Sequence, residues 1–176
     1  MAAISSREVA LKALREIDEK GAYAAMALEA VLDRHPLGKL DRSLATELVY
    51  GTSRRLNTLD WVIGRHSSRP VAQMTVWIRN ILRMAAYQLL FLDKIPASAA
   101  VNEAVELAKN YGHAGTTGFV NGVLRAIVRS LGEIRFPDPE KELVVHLSLR
   151  YSHPEWMIRR WLDRYGPEAT VALCQT

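Results

Sequence analysis

Cysteine is nearly absent, with Cys174 the one example among 176 residues. A single thiol cannot close an intramolecular disulfide or supply a CxxC pair, which excludes a secreted disulfide scaffold and a zinc-thiolate module. Long apolar runs are lacking too. The longest uncharged apolar stretch, Met84 to Leu92, has nine residues, against the ~20 that cross a bilayer. The opening Met1-Ala2-Ala3-Ile4-Ser5 has neither the basic nor the apolar region of a signal peptide. These absences predict a soluble, cytoplasmic protein with no membrane partner. The histidines at 35, 66, 113, 146 and 153 never take the HExxH spacing that brings two ligands to one helix face, so no metal is expected. An alternating β-branched run of strand length is also missing.

What is present is the composition of a globular domain, 49% hydrophobic and 24% charged. Domains of this size bury ~70% of their chain surface, and at ~25 cal/mol per Å² that supports a core without staples. Apolar residues recur at three- and four-residue spacing, which predicts an all-α fold. Ser5-x-x-Glu8 forms a capping box before Val9, Leu11, Leu14 and Ile17, with Gly21 at the expected end. A short helix over Tyr23 to Arg34 ends at His35-Pro36-Leu37-Gly38. A long helix is predicted from Asp41 to His66, with Gly51 inside it marking a close helix contact. Met74 to Leu92 is the most apolar helix and should be central. Pro96 opens a fifth helix to Lys109, and the glycine-spaced turn Gly112 to Gly118 leads into a sixth. Gly118-x-x-x-Gly122 reads as close backbone packing in the core.

Leu131 to Pro139, with one glycine and two prolines, reads as a linker. It divides a bundle of residues 1–135 from a helical appendage of residues 136–176. Two short helices are predicted there, the second opened by Ser152-x-x-Glu155. From Pro167 a helical pattern begins and stops without a cap, which predicts a longer parent chain.

The net charge is +4, and it is local. Between Arg54 and Leu92 six arginines face one acid, Asp60, so this stretch accounts for the whole excess. Arg79 and Arg83 lie four apart, as do Arg125 and Arg129, with no acid four residues from any of them except Glu133, four beyond Arg129. Each pair should surface together, and nucleic acid becomes a candidate partner. Trp61, Trp77, Trp156 and Trp161 can stack on bases, but helical spacing among aliphatic residues favours packing for three of them. Glu103 and Glu106 read as a solvated face, and Cys174, with no base beside it, as a small packing residue. No catalytic constellation is present in the sequence.

The runs Ile78-Arg79-Asn80-Ile81-Leu82-Arg83-Met84-Ala85-Ala86-Tyr87-Gln88-Leu89, Val101-Asn102-Glu103-Ala104-Val105-Glu106-Leu107-Ala108-Lys109 and Phe119-Val120-Asn121-Gly122-Val123-Leu124 closely resemble the NusB family. Glu47-Leu48-Val49-Tyr50-Gly51, Leu59-Asp60-Trp61-Val62-Ile63 and Tyr151-Ser152-His153-Pro154-Glu155-Trp156 look like the RsmB (Sun/Fmu) subfamily, which methylates cytosine C5 in small-subunit rRNA. The resemblance implies an RNA-binding NusB-like bundle leading into an absent S-adenosylmethionine-dependent domain. This part would carry no catalytic residue and no cofactor of its own. Its partners would be small-subunit ribosomal RNA and its own C-terminal methyltransferase domain. Arg79, Arg83, Arg125 and Arg129 are the expected phosphate contacts, supported by Arg7, Arg54, Arg55 and Arg69. Asn102, Glu103 and Asn121 match the family motif and are expected to fix helix junctions through backbone hydrogen bonds. A free antitermination factor of the same fold, and a scaffold that docks an enzyme without touching RNA, remain as alternatives.

Overall fold

The computed structural model describes residues 4–176; Met1, Ala2 and Ala3, part of the segment assessed above for a signal peptide, lie outside them. The described residues form nine α-helices and no strand. In order they are α1 (Ser6–Lys20), α2 (Ala24–Arg34), α3 (Lys39–Arg54), α4 (Leu56–His66), α5 (Val76–Phe91), α6 (Ala97–Tyr111), α7 (Thr116–Ser130), α8 (Leu143–Tyr151) and α9 (Glu155–Cys174), with one 3-10 turn at Val71–Gln73. The all-α expectation is met. No helix among the described residues is long and apolar enough to cross a membrane.

Helix α5 is the axis of the bundle and packs against α1, α3, α4, α6 and α7. Its burial is possible because the polar side chains it carries inward all find partners. Gln88 donates to the Met84 carbonyl at 3.0 Å and accepts from Arg7 Nε at 2.9 Å. Thr75, at the N-cap, accepts from the Ile78 amide. At the other bundle end, Ser5 accepts from the Glu8 amide as the capping box requires, while the Glu8 carboxylate accepts from the Tyr111 hydroxyl instead of the cap backbone. Gly21 closes α1 at φ 67°.

The predicted long helix from Asp41 to His66 is two helices, broken at Arg55 (φ −104°, ψ 13°). Neither proline nor glycine marks that kink. Gly51 is the close contact expected of it, since a Cβ there would stand 2.0 Å from the Tyr87 ring. Gly118 and Gly122 overturn their reading: each would direct a Cβ into open space, so they lie on the outer face of α7 and pack nothing.

Helices α8 and α9 pack on one another around Leu147, Ile158 and Cys174, a cluster separate from the main core. Burial pushes the Cys174 thiol above its ordinary range, consistent with an apolar packer. Helix α9 kinks at Gly166, whose φ of 80° and ψ of 172° admit glycine readily, and Pro167 behind it has no N–H to continue the ladder.

Ser152 does not form the predicted capping box for α9. It sits in the left-handed region at φ 60°, and its hydroxyl accepts from the amides of Asn57 and Thr58 at 3.1 and 3.3 Å. Those are first-turn amides of α4, whose own N-cap, Arg55, offers no side-chain bond. The cap therefore comes from a residue 95 positions away. Asn57 returns the contact by donating to Ser148 Oγ at 2.8 Å, and Thr58 donates to the Leu149 carbonyl. Phe136, ahead of α8, stacks on Trp61 of α4 at 5.2 Å and meets His146 of α8 edge-on at 6.4 Å, so α8 is fastened to α4 by direct polar contacts and through this aromatic ring.

Candidate nucleic-acid interface

Arg79 and Arg83 do not surface together. Arg79 donates through Nε and Nη2 to both oxygens of Asp18 at 2.7 and 3.0 Å. Arg83, only 8% exposed, donates to Asp60 through Nε and Nη2 at 2.7 and 2.8 Å and to Asp18 through Nη1 at 2.9 Å. Asn80 completes the cluster with a 2.8 Å bond to Asp18. Two cations and two anions cancel here, and the fork geometry of arginine holds α1, α4 and α5 together. Burial raises the Asp18 carboxyl, but the bonds from Arg79 and Asn80 and the charges of both arginines outweigh it and hold the group below its ordinary range. The sequence reading missed this because it sought neutralising acids on the same helix, whereas Asp18 and Asp60 arrive from α1 and α4.

The remaining arginines fall into separate groups. Arg125 and Arg129 are exposed on α7, with Arg125 Nε donating to Asn121 Oδ1 at 3.0 Å. Asn121 thus bonds a side chain, and Asn102 and Glu103 are exposed on α6 rather than buried at a junction; among the described residues the three form none of the expected backbone bonds. Arg69 is exposed and lies over the Phe119 ring at 5.7 Å. Arg7 is half-buried and engaged by Gln88. Trp156 is 62% exposed at the start of α9, whereas Trp61, Trp77 and Trp161 are half-buried against neighbours.

Arg54 and Arg55, at the kink between α3 and α4, share a cleft of about 680 Å³ with Arg150, a residue sequence reasoning did not single out. Tyr87 and Phe91 of α5, Phe136 of the linker, Tyr151 of α8 and the end of α9 complete its walls. Arg55 lies 4.8 Å over Phe91, and Arg150 lies 5.5 Å over Tyr151 while donating to its hydroxyl. Bonds from Gln175 and Arg150 hold the Tyr151 hydroxyl below its ordinary value. Burial and a 2.6 Å bond to Glu47 push that of Tyr87 up to about 12.

The profile of the NusB family matches residues 4–129, and the chain belongs to that family. Within it, the chain is 40% identical over 171 residues to the probable ribosomal RNA small subunit methyltransferase B of Bacillus subtilis, covering 97% of this chain and 38% of that protein. It is also 38% identical over 127 residues to the transcription antitermination protein NusB of Geobacter sulfurreducens, covering 71% of this chain and 92% of that protein. A crystal structure of the antitermination factors NusB and NusE in complex with dsRNA superposes with a TM-score of 0.67 at 26% identity, covering 71% of this chain and 94% of that one. The chain thus spans less than half the length of the methyltransferase relative. Helices α8 and α9 lie beyond residue 129, in the stretch that the methyltransferase match includes and the family profile does not reach.

Proposed function

We propose that this chain is the RNA-targeting, N-terminal part of an S-adenosylmethionine-dependent small-subunit rRNA cytosine-C5 methyltransferase. The observation that carries the reading is the extent of the match. The methyltransferase relative aligns with 97% of the chain, α8 and α9 included, while the antitermination relative aligns with 71%. The part in hand holds and positions rRNA, and the methyl donor and reacting cysteines belong to the remainder of the parent. The NusB–NusE–dsRNA complex supports an RNA role for the bundle.

Phosphate contacts fall to Arg125 and Arg129 on α7, to Arg69 beside Phe119, and to Arg54 and Arg55 at the α3–α4 kink, with Arg7 a lesser contributor. Arg79 and Arg83 are withdrawn, because their donors are already committed to Asp18 and Asp60. The test is fluorescence anisotropy with a labelled small-subunit rRNA fragment across a salt series. Affinity is expected to fall with salt at a log-log slope of about −0.7 per phosphate on single strands, and Arg125→Glu/Arg129→Glu is expected to flatten it. Absence of salt-sensitive binding overturns the RNA reading and leaves a scaffold that docks a catalytic domain.

A further inference from the structure

We infer that the cleft between the α3–α4 kink and the end of α8 is a subsite for single-stranded RNA, taking one or two nucleotides with their bases inside and their phosphates on Arg54, Arg55 and Arg150. The inference rests on the RNA reading above and deepens it. Four arginines elsewhere in this protein are held by carboxylates: Arg15 by Glu19, Arg79 by Asp18, Arg83 by Asp18 and Asp60, Arg159 by Glu155. The three at the cleft form no ion pair among the described residues, and they line one cavity together, with Arg150 Nε engaged by the Tyr151 hydroxyl.

They converge from distant parts of the chain. Arg150 reaches the other two only because Ser152, Ser148 and Leu149 bond to Asn57 and Thr58 of α4. The guanidinium groups are also held near aromatic rings. Arg55 lies 4.8 Å from the Phe91 ring centre and Arg150 lies 5.5 Å from that of Tyr151, within cation–π reach, and arginine's remaining N–H donors suit a phosphate. About 680 Å³ of space is within the range of small-ligand clefts. Mixed aromatic and cationic walls match how unpaired nucleotides are held, by stacking that is tolerant of sequence and by phosphate contacts. A double helix cannot present a base to such a cleft without unstacking it, so the preference is for single strands.

The test uses the 176-residue chain, a fluorescein-labelled octauridylate and an abasic octamer of the same backbone. Arg54→Glu/Arg150→Glu is compared with Arg34→Glu/Arg42→Glu, which changes the net charge equally at exposed arginines on α2 and α3. Thermal melts establish that both fold, and Arg54→Gln/Arg150→Gln replaces the first if it does not. The cleft variant is expected to lose about tenfold more affinity for octauridylate than the control, with a salt slope shallower by about 1.4, two phosphates' worth. The abasic octamer is expected to bind the unaltered chain at least about fivefold more weakly than octauridylate, the low end of one base stack. Equal losses in the two double variants overturn the subsite while leaving RNA binding intact. Equal affinity for the abasic strand reduces the cleft to an anion patch and overturns base capture. Failure of the unaltered chain to bind the rRNA fragment is a different result, and it removes the functional reading itself.

Discussion

Arg83 and Asp60 meet in a bidentate pair in which Nε and Nη2 donate at 2.7 and 2.8 Å, and the third donor, Nη1, reaches Asp18 at 2.9 Å. An arginine in the most apolar helix of the chain is thus a structural rivet between three helices. Removing Arg83 leaves Asp60, about a third exposed, without its partner while Asp18 keeps Arg79 and Asn80, at a cost of about 1–3 kcal/mol. Arg83→Met is expected to lower stability by that order in urea denaturation, and a loss under about 1 kcal/mol would show the cluster to be solvated and dispensable.

The same cluster sets an acid limit. The Asp18 carboxyl is held below its ordinary value of 3.8, so its contribution is fully present above that value and is lost as pH falls through the lower, folded value. The stability gap between the unaltered chain and Asp18→Asn is expected to be constant from neutral pH to about pH 5 and to close below about pH 4. Melting temperatures of the two across an acid series check it, and a gap that persists unchanged to the lowest pH would show that Asp18 is not the responsible group.

Glycine substitutions are expected to split by position. At Gly51 a methyl group would overlap the Tyr87 ring, and overpacking of this kind costs about 1–3 kcal/mol, more than the ~1 kcal/mol that alanine gains in helix propensity. At Gly118 and Gly122 nothing stands in the way, so alanine is expected to stabilise by up to ~1 kcal/mol each. Chemical denaturation of the three variants checks the signs, and a stabilising Gly51→Ala would refute the α3–α5 contact.

Much of the fold was legible because its signals are local. Ser5, Gly21, Pro96 and the apolar runs around Leu82 and Leu124 mark helix ends and core faces within a few residues of where they act. What was not legible depends on partners remote in sequence. Asp18 meets Arg79 across 61 positions, and Ser152 spends its hydroxyl on α4, although its local pattern spells a cap for α9. Gly118 and Gly122 have the spelling of a packed stripe, yet which side of α7 faces the core is set by Val120, Val123, Leu124 and Ile127. Of the candidate site, Arg54, Arg69, Arg125 and Arg129, all exposed, stood out in the sequence by local charge, and the family resemblance made them phosphate candidates. Arg150 was missed because only the α4–α8 fastening brings it beside Arg54.

That fastening can be tested directly. Ser152 caps the first turn of α4 from the end of α8, and loss of such a cap costs typically ~1 kcal/mol, so Ser152→Ala is expected to lower stability by that amount. Ser152→Gly removes the same hydroxyl but relieves a serine held at φ 60°, and it is expected to cost less than alanine does. Asn57→Ala removes the bond to Ser148 Oγ and leaves that side of the junction under-satisfied, at about 1–3 kcal/mol. The loss should be regional, because α8 and α9 close around their own small cluster while α5 and its neighbours keep the main core. Amide hydrogen exchange on Asn57→Ala is expected to show lost protection at the α4 N-terminus and in α8, with α5 unchanged. Uniform loss across α1 to α9 would mean that the two clusters unfold as one unit and that the α4–α8 contacts are not a separable joint.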